Sequence, residues 1–179
     1  MGENVIKWYK VGNFLYFYTI QKLKQMTTFI GDHNCRVDAK NRIVLPSAFK
    51  KQLDAGAQDK FVVKKDIFEK CLVLIPMDEW SSQIELIRKT LNPYNKEHNK
   101  FLRGLYQNMA ELTLDNMNRI LLPKKLTDMV SIDKEVVMLG QDGKIEIWAV
   151  EAYEKINNDL SDDDFAALAE KIMGANKNS

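Results

Sequence analysis

The chain is poor in the residues that most soluble catalysts rely on. It has only two cysteines and two histidines in 179 residues. Cys35 and Cys71 sit in apolar, strand-like runs and form no Cys-x-x-Cys pair, so they are expected to be buried, reduced thiols in a cytosolic protein rather than a disulfide or a metal site. His33 and His98 have no partner at metal-ligand spacing. There is no Gly-rich phosphate loop, no Gly-x-Ser-x-Gly and no His-Glu-x-x-His, so no cofactor or metal is expected. The longest aromatic stretch, between Lys10 and Gln21, is only ten residues, too short to span a bilayer. No Ala-x-Ala cleavage site follows it. A net charge of +1 does not announce a nucleic-acid binder.

What the chain does have is a repeat. Asp38-Ala39-Lys40-Asn41-Arg42-Ile43-Val44-Leu45-Pro46 returns 77 positions later as Asp115-Asn116-Met117-Asn118-Arg119-Ile120-Leu121-Leu122-Pro123. The flanks match too: Cys35 and Val37 with Leu112 and Leu114, Phe49 and Leu53 with Leu126 and Val130, Trp80 with Tyr153. Each unit reads strand, Asp-x-x-x-Arg loop, strand, short helix, strand, turn, strand, helix. The strands are short Val/Ile/Leu runs between turn residues, and Pro46 and Pro123 suit the first turns of the short helices. Gly56 is placed to cap the first of these.

This organisation predicts a mainly β fold with helices (α+β). Residues 28–80 and 106–153 form the two units and residues 81–105 a helical linker. Residues 154–179 carry a last helix and tail. Residues 1–27 form an N-terminal extension with no counterpart in the repeat. Because Met26 stands just before the repeated region, residues 1–25 are expected to reflect an upstream start codon chosen in error, with a membrane-touching or partner-binding arm as the alternative. In the linker, Trp80, Ile84, Ile87 and Leu91 make one helical stripe, ended by Asn92-Pro93. Phe101, Leu102, Leu105, Tyr106 and Met109 make a second. Both are expected to pack on the sheets, the second with room for a subunit contact as well. The last helix is expected to start at Ser161, with Asp162, Asp163 and Asp164 in its first turn, an apolar face of Phe165, Leu168 and Ile172, and Gly174 at its end.

The repeated loops carry the chemistry. An Asp closing a strand can accept backbone N–H bonds from the next residues and fix the turn. Asn41 and Asn118 tolerate the left-handed backbone that a tight reversal needs. Arg42 and Arg119 then start the returning strands, each with a permanently charged planar fork of donors. Asp38–Arg42 and Asp115–Arg119 pairing alone would explain the Asp. It would not explain why Arg36, Lys40, Lys50 and Lys51 gather near the first Arg, and Lys124 and Lys125 near the second, within a neutral protein.

The doubled pattern Asp-x-x-x-Arg-apolar-apolar-apolar-Pro resembles that of the MraZ family of bacterial transcriptional regulators. So do Cys71-Leu72-Val73-Leu74-Ile75-Pro76 with Trp80, and Val136-Val137-Met138-Leu139-Gly140-Gln141 with Ile145-Glu146-Ile147-Trp148. The resemblance runs from about Thr28 to the C-terminal helix. It implies two AbrB-like swapped-hairpin units forming a pseudo-dimeric barrel, a ring-shaped homo-oligomer, and location in the cytoplasm on the nucleoid. The implied partner is double-stranded DNA carrying short direct repeats upstream of the division and cell-wall gene cluster. No membrane partner is implied. Family members usually carry Gly where this chain has Asn41 and Asn118. On this reading Arg42 contacts a guanine edge, Arg36 and Lys40 neutralise phosphates, and Arg119 is the second-half equivalent, serving DNA or a subunit contact. Asp38, Asn41, Asp115 and Asn118 shape the loops.

Two other classes stay open at this point. The paired loops could line a small-molecule enzyme site with Asp38 and Asp115 as acid and base, although no nucleophile or cofactor motif accompanies them. An antitoxin-like protein-binding module is the other, although one DNA-binding unit and a disordered tail would then be expected.

Overall fold

The computed structural model describes residues 27–53 and 59–174 in full, and the backbone of two strands before them. Those strands, β1 (Val5–Val11) and β2 (Phe14–Ile20), pair as an antiparallel hairpin in a two-stranded sheet. Gly56 lies outside the described residues.

The first unit runs β3 (Phe29–Arg36), β4 (Arg42–Val44), α1 (Ser47–Gln52), β5 (Lys60–Lys65), β6 (Leu72–Pro76) and α2 (Met77–Thr90). After α3 (Lys96–Tyr106) the second repeats that order: β7 (Met109–Thr113), β8 (Arg119–Leu121), α4 (Lys124–Met129), β9 (Glu135–Asp142), β10 (Lys144–Ala149) and α5 (Val150–Asp159). Last comes α6 (Asp162–Gly174). Pro46 and Pro123 stand one place before their helices, as caps rather than first-turn residues. Leu53, whose N–H bonds to the Phe49 carbonyl, caps α1 three residues before Gly56.

The two units interlock. The main sheet has the order β3-β9-β10-β6-β5-β7 and is antiparallel throughout. The first strand of each unit therefore pairs with the other unit: β3 with β9, β7 with β5. The short strands β4 and β8 pair with each other as a separate ribbon. Among the described residues the sheet is open, with β3 and β7 as its edges, so its hydrogen bonds do not close into a barrel.

Alternation of side chains at period two places a core on each face of the sheet. Phe61, Val63, Leu72, Leu74, Ile145 and Ile147 point to one side, where Ile43 and Ile120 of the ribbon, Phe49 of α1 and Leu126 of α4 cover them. Val62, Val73, Ile75 and Trp148 point to the other, under Trp80 and Ile84 of α2 with Tyr153 and Ile156 of α5. Glu146 is also buried, and is satisfied by Lys144 Nζ at 2.8 Å and Trp148 Nε1 at 2.9 Å.

The linker stripes have different fates. The α2 stripe packs on the sheet as expected, although Leu91 falls just past the helix end. The α3 stripe does so only in part: Leu105 and Met109 pack against the same core and the Tyr106 ring meets Trp80 edge-on at 6.1 Å. This helix has no fully buried residue, Phe101 is 49% exposed, and Met109 belongs to β7. A wide stripe needs a surface to cover it, and α2 and α5 already occupy the sheet face. The Asn95 side chain starts α3 by accepting from Glu97 N and His98 N. In α6, the Ser161 hydroxyl accepts from Asp164 N at 3.1 Å, while Phe165, Leu168 and Ile172 are exposed.

Candidate nucleic-acid interface

Each Asp-x-x-x-Arg loop is a small closed device. In the first, Asp38 N donates to the Arg42 carbonyl at 2.8 Å and Asn41 N to the Asp38 carbonyl at 2.9 Å. Asn41 has φ 61°, the left-handed residue that ends a three-residue hairpin loop. The Asp38 carboxylate is shared: Oδ1 accepts from Lys40 N at 2.8 Å and Arg42 N at 2.9 Å, and Oδ2 accepts from Arg42 Nε at 2.8 Å and Nη2 at 2.6 Å. The second loop copies the geometry. Asp115 Oδ1 accepts from Met117 N and Arg119 N, Oδ2 accepts from Arg119 Nε at 2.8 Å, and Asn118 has φ 55°. The Arg42 side-chain bond, its backbone N–H and that of Lys40 hold the Asp38 carboxyl down to about 2. The Arg119 backbone N–H leads the same effect at Asp115.

A pH prediction follows for Asp38. Its folded pKa lies below the ordinary carboxylate value, so its contribution to the loop is fully present above about pH 4 and fades as pH falls towards 2. A carboxyl ¹³C titration by NMR should give Asp38 a midpoint well under the ordinary carboxylate value. A midpoint in the usual range would mean that the Arg42 lock does not form in solution.

Pairing of β4 with β8 sets the two devices side by side. The register is Arg42↔Leu121, Ile43↔Ile120 and Val44↔Arg119. Ile43 and Ile120 point inward and are wholly buried, so Arg42, Val44, Arg119 and Leu121 share the outer face. The two arginines stand at diagonal corners of this face, about 7–8 Å apart as diagonal neighbours of an antiparallel pair. The exposed Val44 and Leu121 fill the other corners. Because Asp38 engages only Nε and Nη2 of Arg42, the rest of that fork is available to an outside acceptor.

The loops also grip each other's units. Leu45 N donates to the Asn118 carbonyl at 2.8 Å and Leu122 N to the Asn41 carbonyl at 2.9 Å. Asn41 adds a bond that a glycine could not make: its Nδ2 donates to the Leu122 carbonyl at 2.6 Å. Among the described residues Asn118 has no matching amide bond.

The surrounding charges differ from the linear expectation. Lys124, whose Nζ pairs with Asp128 Oδ1 at 2.8 Å, lies beside the first loop, lining a cavity of about 390 Å³ with Asp38, Ala39, Asn41, Asp133 and Lys134. Neighbours in sequence suggested that it would serve Arg119, but interlocking carries each loop to the helix of the other unit. Lys50 is neutralised by Asp59. Arg36 ends β3, where Glu135 accepts from its Nε at 3.2 Å and Nη2 at 2.9 Å, so it is held at the sheet edge. Lys40 is exposed at the tip of the first loop, and the equivalent place in the second holds the exposed Met117. The first loop is therefore the more basic. Among the described residues there is no group of three or more metal-ligating side chains, and no helix is long and apolar enough to cross a membrane.

Two tandem copies of one strand–loop–strand unit, interlocked so that twin Asp-locked arginines share one face, define a duplicated β-loop module. The family model described as "MraZ protein, putative antitoxin-like" matches the chain twice, over residues 28–104 and 105–176. The chain belongs to the MraZ family. It is 41% identical over 149 residues to the transcriptional regulator MraZ of Christiangramia forsetii, covering 83% of this chain and 95% of that one. It is 40% identical to the transcriptional regulator MraZ of Flavobacterium psychrophilum (83% and 94% covered) and 36% identical to that of Bacteroides fragilis (83% and 92% covered).

Proposed function

We propose that the protein is a sequence-specific DNA-binding transcriptional regulator that grips double-stranded DNA with the outer face of the β4–β8 ribbon. The observation that carries this is the pair of arginines, each oriented by its own Asp, on one exposed face beside a basic loop. A pre-oriented guanidinium loses little freedom on binding and suits the O6/N7 edge of guanine. Arg42 reads such an edge and Arg119 is its counterpart. Lys40 and Lys124 meet phosphates beside the first loop, with Arg36 at the margin. The names of the relatives support the reading.

We read residues 28–80 and 106–153 as AbrB-like swapped hairpins forming a pseudo-dimer, with 81–105 as linker and 154–179 as C-terminal helix and tail. The targets are short direct repeats upstream of the division and cell-wall gene cluster. A ring-shaped homo-oligomer on the nucleoid engages several repeats at once, and effective concentration makes up for the few contacts of one module. Catalysis by the loops is disfavoured because Asp38, held near pKa 2 with both oxygens engaged, is a poor acid or base at neutral pH.

Gel-shift titrations on the DNA upstream of the protein's own gene, repeated across salt concentrations, test this. Binding should weaken steeply with salt, by a log–log slope of about 0.9 for each phosphate neutralised. Lys40→Ala should reduce that slope by about one phosphate per engaged subunit, on specific and unrelated DNA alike, and Met117→Lys should raise it. Absence of any shift at low salt would overturn the reading.

A further inference from the structure

The two Asp-x-x-x-Arg loops share their backbone bonds but differ in what their asparagines do. Asn41 clamps one residue of the other unit from both sides. Its carbonyl accepts from Leu122 N at 2.9 Å, and its Nδ2 donates to the Leu122 carbonyl at 2.6 Å. The same nitrogen lies 3.4 Å from the hydroxyl oxygen of Thr127, a wholly buried residue of α4. That hydroxyl gives its own proton to the Lys124 carbonyl at 2.9 Å, so it faces Asn41 as an acceptor. Asn41 is accordingly half-buried. Asn118 accepts from Leu45 N, as the duplicated backbone requires, but the residue is exposed. Residue types account for the difference. The copy of Thr127, 77 positions earlier, is Lys50, whose ammonium pairs with Asp59 and has no lone pair to offer an amide.

Asn41 stands directly before Arg42, and its left-handed backbone aims the start of β4. A residue held there by main-chain bonds alone can still rock about φ and ψ. An amide tied to the carbonyl of the buried Leu122 removes that play, and low-dielectric surroundings strengthen such a bond. Arg42 is therefore held at both ends: Asp38 fixes its guanidinium and Asn41 its backbone. Arg119 has the Asp115 lock but, among the described residues, no counterpart of the amide clamp. A binding group must be held within about 0.5 Å of its working place, so the clamp bears on reading a base edge more than on attracting phosphate.

We propose that Asn41 is a positioning residue for base recognition: its clamp on Leu122 makes the first loop a strict reader and leaves the second loop tolerant. This rests on the DNA-binding reading above and goes beyond it by giving the two loops unequal parts. A base change opposite Arg42 costs more affinity than the same change opposite Arg119. The stretch of DNA read by one chain is therefore directional, although two near-copies of one unit read it.

Two measurements on the full chain test it, one without DNA and one with it. Amide hydrogen exchange reads the clamp directly. The Lys40 and Arg42 N–H groups, both bonded to Asp38 Oδ1, should exchange roughly 2–13-fold more slowly than those of Met117 and Arg119 on Asp115 Oδ1, the worth of one added hydrogen bond. Asn41→Gly keeps the left-handed turn without the amide and should abolish that difference. Asn118→Gly makes the same backbone change where there is no clamp, and so measures the freedom that glycine itself adds. Asn41→Asp, which keeps the side-chain size but has no donor, should act like Asn41→Gly and takes its place if the glycine variant melts too low. Gel shifts then compare the DNA upstream of the protein's own gene with unrelated DNA at one salt concentration. Asn41→Gly should lower the ratio of specific to unrelated affinity by roughly 2–13-fold and leave unrelated binding unchanged, whereas Asn118→Gly should leave the ratio as it is. Equal exchange from the two wild-type loops, or equal effects of the two glycine variants, would overturn the proposal. So would an Asn41→Gly protein that loses both DNAs in parallel, since that is the mark of a residue that only stabilises the fold. A wild type that shifts no DNA refutes the functional reading and this role with it; a wild type that binds while Asn41→Gly keeps its discrimination refutes this role alone.

Discussion

Arg42→Ala should bind its specific DNA roughly 5–150-fold more weakly for each subunit engaged, the cost of about 1–3 kcal/mol for a lost bidentate guanine contact. Its melting temperature should stay close to that of the wild type. The Arg42 side chain lies on the outer face of the ribbon, and the β4–β8 pairing is held by backbone bonds and by Ile43 and Ile120 beneath it. Arg42→Lys separates charge from geometry: the ammonium keeps phosphate attraction but has no planar fork, so binding to unrelated DNA should persist while discrimination falls. Asp38→Ala should lose binding by another route. Four bonds converge on that carboxylate, and without it both the turn and the Arg42 orientation are freed. Comparing Arg42→Ala with Arg119→Ala by gel shift shows whether the more basic first loop dominates. An Arg42→Ala protein that unfolds, or that binds specific DNA normally, would mean that the arginine only closes the turn.

Gly140→Ala should be the most destabilising single-methyl change in the described fold. Gly140 pairs with Gly31 where β9 meets β3. A Cβ there would lie 2.8 Å from Ile30 N and 2.8 Å from Phe29 C, and neither backbone atom can step aside without opening the strand pair. Gly31, at φ 103°, already requires glycine on the other side. Displacing β3 would also draw out Phe29, which is buried edge-on against Phe49 at 5.6 Å. Overpacking of this kind costs about 1–3 kcal/mol, or on the order of 5 °C in melting temperature for a chain of this size. Gly104→Ala is the control: its site is open and lies within α3, so it should be neutral or stabilising by up to about 1 kcal/mol. If thermal melts rank the two alike, the close approach of β3 to β9 is relaxed in solution.

Physics acting over a few residues was legible in the sequence. Asp38 reaches only as far as Lys40 and Arg42, and Asn41 needs only its own φ, so the turn, the locked arginine and its copy 77 positions on could be derived from residue types and spacing. The element order of both units followed from short Val/Ile/Leu runs bounded by turn residues and from Pro46 and Pro123. What needed the tertiary structure was everything that depends on partners far along the chain. Which strand takes β3 or β7 is settled by burial and register across the units, and this interlocking brings Lys124 to the first loop, sets Arg42 diagonal to Arg119, and gives Asn41 its bond to Leu122. The same cause decided the linker. The stripe of α2 found the sheet and that of α3 reached it only through Leu105, whereas Phe101 of α3 and the stripe of α6 stayed exposed, because α2 and α5 already fill the face that they would cover. A stripe specifies that a helix has something to bury; only the assembled fold decides whether its own chain supplies the surface.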